Sequence, residues 1–349
     1  MMPGERATNA LPIHRESLTM LTRPFGRDAL QVSEIGLGCW QIGSEWGEVD
    51  DATAAAVLDT ALECGITFFD TADVYGRGRS ERRIAEFLRR HGGPDVVVAT
   101  KLGRFPEPGW PANLSLATFR QHTEASLQRL GVECLDLTQV HCLPHHLLQE
   151  GEVFDWLRTL KQEGKIRRFG FSVETMDEAI LCLEQAPDDL ASLQVIFNVF
   201  RQRPIDVLFP KAKELGVAII VRLPLASGLL AGKFTSETTF SDGDHRSFNR
   251  EGAAFNVGET FAGLEFHRGL KLVERLRPLV PNEWTMSQFA LRFCLDFDAV
   301  TTVIPGATRA RQVELNASAS ELSELGMSIH AELEQLYEHE VAEHIRGAS

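Results

Sequence analysis

Asp70, Tyr75, Lys101 and His141 are the residues in this chain whose types and spacing can do acid–base chemistry. Asp70 closes the apolar run TFFD, Lys101 closes DVVVATK and His141 closes LDLTQVH, while Tyr75 follows Asp70 by five residues. If the three runs are strands of one sheet, a carboxylate, a phenol, an ammonium and an imidazole converge at one edge. A free phenol titrates near ~10, too high for easy proton donation at neutral pH. A neighbouring ammonium favours phenolate and is expected to lower that value, with the carboxylate holding the ammonium in place. The imidazole can orient a carbonyl oxygen or relay the proton. Such a group suits a reaction in which negative charge grows on oxygen, as in hydride delivery to a carbonyl. Taken singly, Asp70 and Lys101 read equally as a structural ion pair, Tyr75 as loop packing and His141 as a core histidine. Four in order on one mouth argue for chemistry.

The elements that position them alternate. Eight strand-like runs end at Cys39, Asp70, Lys101, His141, Ser172, Asn198, Arg222 and Ile304. Helical patterns fit the intervals, at 51–64, from Ser80, from Ser115, and at 151–162, 175–185, 206–215, 285–295 and 309–317, with Ser80 and Ser115 as expected N-caps. Strand alternating with helix eight times predicts an α/β fold, a (β/α)8 TIM barrel. Residues 23–33 predict an N-terminal β-hairpin, with Gly26, Arg27 and Asp28 at its turn. The expected organisation is a flexible tail over 1–20, with Met20 as an alternative start, and a single barrel domain over 21–349. Two long loops, 103–114 after the third strand and 223–260 after the seventh, fall at the C-terminal mouth, where this fold carries its active sites.

Hydride delivery needs a cofactor, yet no G-x-G-x-x-G opens a strand–helix unit. The glycines Gly76 and Gly78 sit in a loop without that spacing. A phosphate site is expected instead at the end of the eighth strand, in IPGATRARQVELN. Gly306 and Ala307 precede a helix whose amides attract phosphate, and Arg309 adds a guanidinium suited to a phosphate monoester.

At these segments the chain resembles the aldo-keto reductase superfamily, in its bacterial NADP-dependent branch. The resemblance runs from about Leu21 to Asn316. It rests on GITFFDTADVYGRGRSE, VVVATKLG, SLQRLGVECLDLTQVH, IRRFGFS, LQVIFN, VRLPLASGLLAGKF and IPGATRARQVELN, all in order. It implies that Tyr75 is the general acid, Lys101 and Asp70 its tuning pair, and His141 the carbonyl-orienting residue. It implies that Ser172 and Gln194 meet the nicotinamide carboxamide, that Arg222 covers the ring, and that Trp40 approaches ring and substrate. Leu225, Gly228 and Lys233 resemble the pyrophosphate strap. Gly306, Thr308, Arg309, Gln312 and Asn316 resemble the adenosine-phosphate end, and Arg309 argues for NADP(H) over NAD(H). Two positions depart from the family. Val173 replaces the Asn of a Ser-Asn pair, and Leu315 replaces a Glu before Asn316.

The expected substrate is a small aldehyde, ketone or sugar. Trp40, Trp46, Phe105 and Trp110 are expected to form an aromatic wall around it. His145 and His146 in HCLPHH invite a metal reading, but no carboxylate accompanies them, and no metal is expected. The charged stretch 321–343 predicts a solvated helix over the barrel. With 35 basic against 49 acidic residues the net charge is −14, which supplies no footprint for nucleic acid or an anionic membrane. No run approaches the ~18 apolar residues of a span. The six cysteines, without a C-x-x-C pair, read as reduced thiols of a cytoplasmic protein. Two other readings fit a barrel: a cofactor-sensing regulatory subunit, as in relatives associated with potassium channels, and a metal-dependent hydrolase.

Overall fold

The computed structural model describes residues 19–27, 30–43 and 49–347. The expected tail, apart from its last two residues, and Trp46 and Asp28 lie outside the described residues. Strands β1 (Thr22–Pro24) and β2 (Gln31–Ser33) pair antiparallel as the expected hairpin. Eight parallel strands follow: β3 (Leu37–Gly38), β4 (Phe68–Asp70), β5 (Val97–Leu102), β6 (Leu137–His141), β7 (Phe169–Ser172), β8 (Leu190–Ile196), β9 (Ala218–Arg222) and β10 (Val300–Val303). Single bridges from Ile35 to Val303 and from Gly38 to Gly306 join the first of them to the last, so the sheet closes into a (β/α)8 barrel.

Period-two alternation makes the barrel a chemical gradient. Phe68, Val97, Ala99, Leu137, Ala218, Ile220 and Ile304 form an inner apolar cluster, plugged from below by Phe25 of the hairpin, whose ring stacks 5.8 Å from Phe68. One step further along the same inward faces stand Asp70, Lys101, Gln139, His141, Gln194 and Arg222. The intervening residues, such as Phe69, Val98, Val140 and Val221, join the outer core against the helices. Apolar residues thus close the bottom and leave polar ones at the mouth.

Caps place the helices as expected in most intervals. Asp50 accepts from Thr53 N at 2.7 Å, and Ser115 accepts from Thr118 N at 3.2 Å. Thr175 and Glu178 form a reciprocal capping box at 3.1 Å in each direction. Ser80 is a correction. The helix Arg79–Arg90 is capped by Gly78 at φ 80°, and the buried Ser80 hydroxyl donates to Cys39 O at 2.8 Å. A second correction concerns 206–215, which splits into Pro204–Val207 and Phe209–Glu214 because Pro210 offers no amide donor.

The 223–260 loop is organised. Asn249 Oδ1 accepts from the amides of Ala254 and Phe255 at 3.0 Å, and its Nδ2 donates to Thr260 Oγ1 at 3.1 Å. The C-terminal helix Met327–Leu336 packs Leu333 inward, and Gln202 donates to its carbonyl at 3.0 Å. Among the described residues no helix is long and apolar enough to cross a membrane.

Candidate active site

Lys101 is 1% exposed and forms an ion pair with Asp70. Its Nζ also donates to Thr71 O at 2.9 Å and to the Tyr75 hydroxyl at 3.3 Å. The other Asp70 oxygen accepts from Gln194 Nε2 at 2.7 Å and from Gln139 Nε2 at 3.0 Å. An ammonium and two amides hold this buried carboxylate in a fixed place. Burial works against the Lys101 charge, but Asp70 and Tyr75 outweigh it and hold its pKa above the usual lysine value.

The phenol departs from expectation. Burial raises the Tyr75 pKa more than Lys101 lowers it, and Asp70 and Glu259 add to the rise, so it is pushed up to about 12. Tyr75 is therefore a neutral phenol at neutral pH, with an ammonium in hydrogen-bond reach of its oxygen. His141 meets the Tyr75 ring edge-on, with centroids 6.0 Å apart. Burial, then Arg104, Lys101 and Arg222, hold its pKa well below the usual histidine value, so the imidazole is neutral. Its Nδ1 makes no hydrogen bond among the described residues.

These groups open onto a cavity of about 900 Å³. The lining starts at Asp70, Tyr75 and His141 and continues past Trp40, Ser172, Gln194, Arg222, Leu225, Gly228 and Lys233. It ends at Gly306, Thr308, Gln312, Leu315 and Asn316. The strap at 225–228 turns through left-handed backbone at Ala226 (φ 47°), Ser227 (φ 56°) and Gly228 (φ 90°), a conformation costly for the two non-glycine residues. The Ser227 hydroxyl secures it by donating to Glu259 O at 2.9 Å. Arg309 is the exposed N-cap of the helix Ala310–Ala317; it follows Thr308 in sequence but is not itself among the residues that line the cavity. Val173 contributes its carbonyl to Arg222 Nη2 at 3.2 Å, and Gln194 directs its amide donor to Asp70.

The expected aromatic wall is built differently. Trp110 is 56% exposed, and Phe105 packs on His122 at 5.5 Å with Arg77 over its face, so neither lines the cavity. In their place a train of rings leads outward from the tyrosine. Trp40 stacks 5.8 Å from Tyr75, Phe255 lies 6.1 Å from Trp40, and Phe248 lies 6.2 Å from Phe255. Phe255 and Phe248 belong to the 223–260 loop, whose fold no local pattern announces. Gln139 was legible in principle, standing two residues before His141 on the same inward face. Arg104, Glu174 and Glu259 also line the cavity and had no motif to mark them.

His145 and His146 are exposed on the helix His145–Glu150, away from this lining. Cys142, Glu174 and Glu259 bring ligand-type atoms within 4.8 Å of one another. Arg104 and Arg222 already supply the positive charge there, and burial pushes the Cys142 thiol up, which disfavours the thiolate a metal would need.

The family profile described as Aldo/keto reductase family matches residues 34–338. The chain belongs to the aldo/keto reductase family. Among curated aldo-keto reductases, YhdN of Bacillus subtilis is 32% identical over 297 residues, covering 82% of this chain and 84% of that protein. The holo form of aldo-keto reductase AKR11C1 from Bacillus halodurans superposes with a TM-score of 0.72 at 28% identity, covering 91% of this chain and 96% of that one. The glycerol dehydrogenase AKR11B4 from Gluconobacter oxydans gives a TM-score of 0.72 at 27% identity, with 92% and 96% covered. These aldo/keto reductase relationships span the barrel and the whole mouth, and the family is one of oxidoreductases.

Proposed function

We propose that the protein is an NADP(H)-dependent oxidoreductase that interconverts a carbonyl and an alcohol, with Tyr75 as the proton donor and acceptor. The observation that carries this reading is the Asp70–Lys101–Tyr75 chain of contacts opening onto one long cavity. That cavity ends at a helix N-terminus flanked by an arginine. The donor set fits a dinucleotide. Ser172, Arg222, Leu225, Gly228, Thr308, Gln312 and Asn316 all line the cavity, and in this reading Ser172 and Arg222 meet the nicotinamide, Leu225–Gly228 the pyrophosphate and Thr308, Gln312 and Asn316 the adenosine end. A Cβ at Gly306 would meet the end of the Gln41 side chain, which would have to move aside.

The bound nicotinamide would supply or accept the hydride. The chain does the rest. Tyr75 gives its proton to the carbonyl oxygen, and the Lys101 ammonium at 3.3 Å stabilises the phenolate left behind. The neutral His141 orients the oxygen. Apolar and aromatic walls keep water from the reacting carbon. The substrate is a small-molecule carbonyl compound or its alcohol.

Arg309 is the proposed reader of the 2′-phosphate. Arg309→Ala is expected to weaken NADPH binding about 10- to 100-fold, the worth of a charge-assisted contact, while NADH changes little. Fluorescence titration with both dinucleotides checks it, and equal losses would reject the phosphate role. A panel of aldehydes, ketones and aldoses followed at the NADPH absorbance band tests the reaction itself. Tight NADPH binding without oxidation by any of them would favour the cofactor-sensing reading instead.

A further inference from the structure

The Trp40 ring stacks on Tyr75 at 5.8 Å and only 18° from parallel, and both line the cavity, so the indole borders the approach to the phenol. Against Trp40 lies His245, fully buried and not among the residues that line the cavity. Its ring is 4.9 Å from the indole and 6.4 Å from Phe255. The imidazole also reaches the strap, with Nε2 3.4 Å from Ser227 Oγ. The Ser227 hydrogen goes to Glu259 O at 2.9 Å, which leaves the oxygen to accept, so Nε2 faces it as a donor. Nδ1 lies 3.5 Å from Asp244 Oδ1. Asp244 is fixed in turn, accepting from the Arg246 amide and Nε at 2.9 Å and from Nη2 at 2.6 Å. Ser227, Asp244 and His245 belong to the loop after β9 and Trp40 to the loop after β3. One imidazole therefore joins two loops of the mouth.

We propose that His245 is a positioning residue for the carbonyl substrate: it fixes Trp40 beside Tyr75 and takes its own place from Ser227 of the strap and from Asp244. The proposal rests on the carbonyl-reductase reading above. A ring that served packing alone would be apolar, because burying an imidazole costs free energy unless its nitrogens are answered. Here polar groups of its own loop face both nitrogens, and the flat ring faces the indole. The strap has further holds, since Ser227 also bonds Glu259 O and accepts from Phe261 N at 3.4 Å. Trp40 borders the substrate, so losing the link loosens the wall around the carbonyl more than the grip on the dinucleotide. A wall contact felt equally in the ground and transition states acts on KM and leaves kcat to Tyr75 and Lys101.

The test measures kcat and KM for the best carbonyl of the panel above at saturating NADPH, and NADPH affinity by fluorescence titration, in the wild type, His245→Leu, His245→Gln, Ser227→Ala and the Ser227→Ala/His245→Leu double variant. In His245→Leu, KM for the carbonyl is expected to rise about 10-fold, with kcat within about twofold and NADPH affinity within about threefold of the wild type. His245→Gln, whose planar amide still offers an N–H to Ser227, should recover most of that KM. Ser227→Ala should raise KM as well, and the double variant should be no worse than His245→Leu alone, because both break one link. Circular dichroism establishes that the variants are folded. If the Leu variant does not fold, His245→Phe, which keeps a ring against Trp40 and loses the donor, takes its place with the same expected rise. An unchanged KM in the folded variant, a loss carried by kcat or by NADPH affinity, no recovery in His245→Gln, or additive effects in the double variant would each overturn the positioning role. Turnover with an unmoved KM removes only this role. No NADPH oxidation with any carbonyl of the panel removes the reductase reading, and this role with it.

Discussion

Tyr75→Phe is expected to lower turnover of any carbonyl substrate by about 10²–10⁴-fold while leaving NADPH affinity nearly unchanged. The substitution removes one oxygen. The ring keeps its stack on Trp40 and its edge contact with His141, so the walls of the cavity stay in place. Only the proton donor is lost, and the remaining groups do not replace it. Lys101 points its Nζ at Asp70, Thr71 O and the phenol, and His141 is neutral. The loss should fall on kcat, because the donation occurs in the transition state. Steady-state kinetics and fluorescence titration together check it. A Phe variant with wild-type turnover would remove Tyr75 from the chemistry. The same electrostatics make the wild-type reduction rate level across neutrality, since burial holds the phenol up at about 12 and the imidazole well below its usual value.

Lys101→Met is expected to produce the largest loss of stability of any single substitution at the mouth, about 3–5 kcal/mol, together with a loss of turnover. Lys101 and Asp70 are 1% and 4% exposed at their side chains. Removing the ammonium leaves a buried carboxylate answered only by two amides, Gln139 and Gln194. Adding Asp70→Asn should restore a good part of the stability, because the stranded charge goes with it, and none of the activity. Denaturant unfolding of the two single variants and the double variant measures the coupling. Equal destabilisation by Lys101→Met with and without Asp70→Asn would show that packing, and not the pair, carries the cost.

Much of this arrangement could be read before any coordinates. Strand ends were legible because a barrel strand must alternate, and an inward series such as Val97, Ala99, Lys101 breaks its apolar pattern only where it reaches the mouth. Asp70, Lys101, His141 and Arg222 all betray themselves in this way. Of the two expected N-caps, Ser115 follows from local chemistry alone, and the caps at Asp50 and Thr175 emerge only in the structure. Ser80 did not, because its hydroxyl answers Cys39 across the fold, and sequence proximity carries no record of that contact. The phenol's acidity was also misjudged from sequence. The sign of the Lys101 effect is right, but its size relative to burial depends on how completely the tyrosine is enclosed. The substrate wall was least legible. Phe255 and Glu259 reach the cavity because Asn249 ties a long loop into shape, and such tertiary ties have no periodicity to read.

In the proposed reaction a hydride passes between a nicotinamide and a carbonyl carbon at the mouth of this barrel while Tyr75 moves the proton. That reaction is tested most directly by giving the protein NADPH deuterated at the transferable C4 position and an aldehyde, then analysing the alcohol by mass spectrometry and NMR. Deuterium is expected on the carbinol carbon and solvent hydrogen on the oxygen, with labelled product nearly absent from the Tyr75→Phe reaction. Alcohol formed without the label, or labelled alcohol formed equally well by the Phe variant, would contradict it.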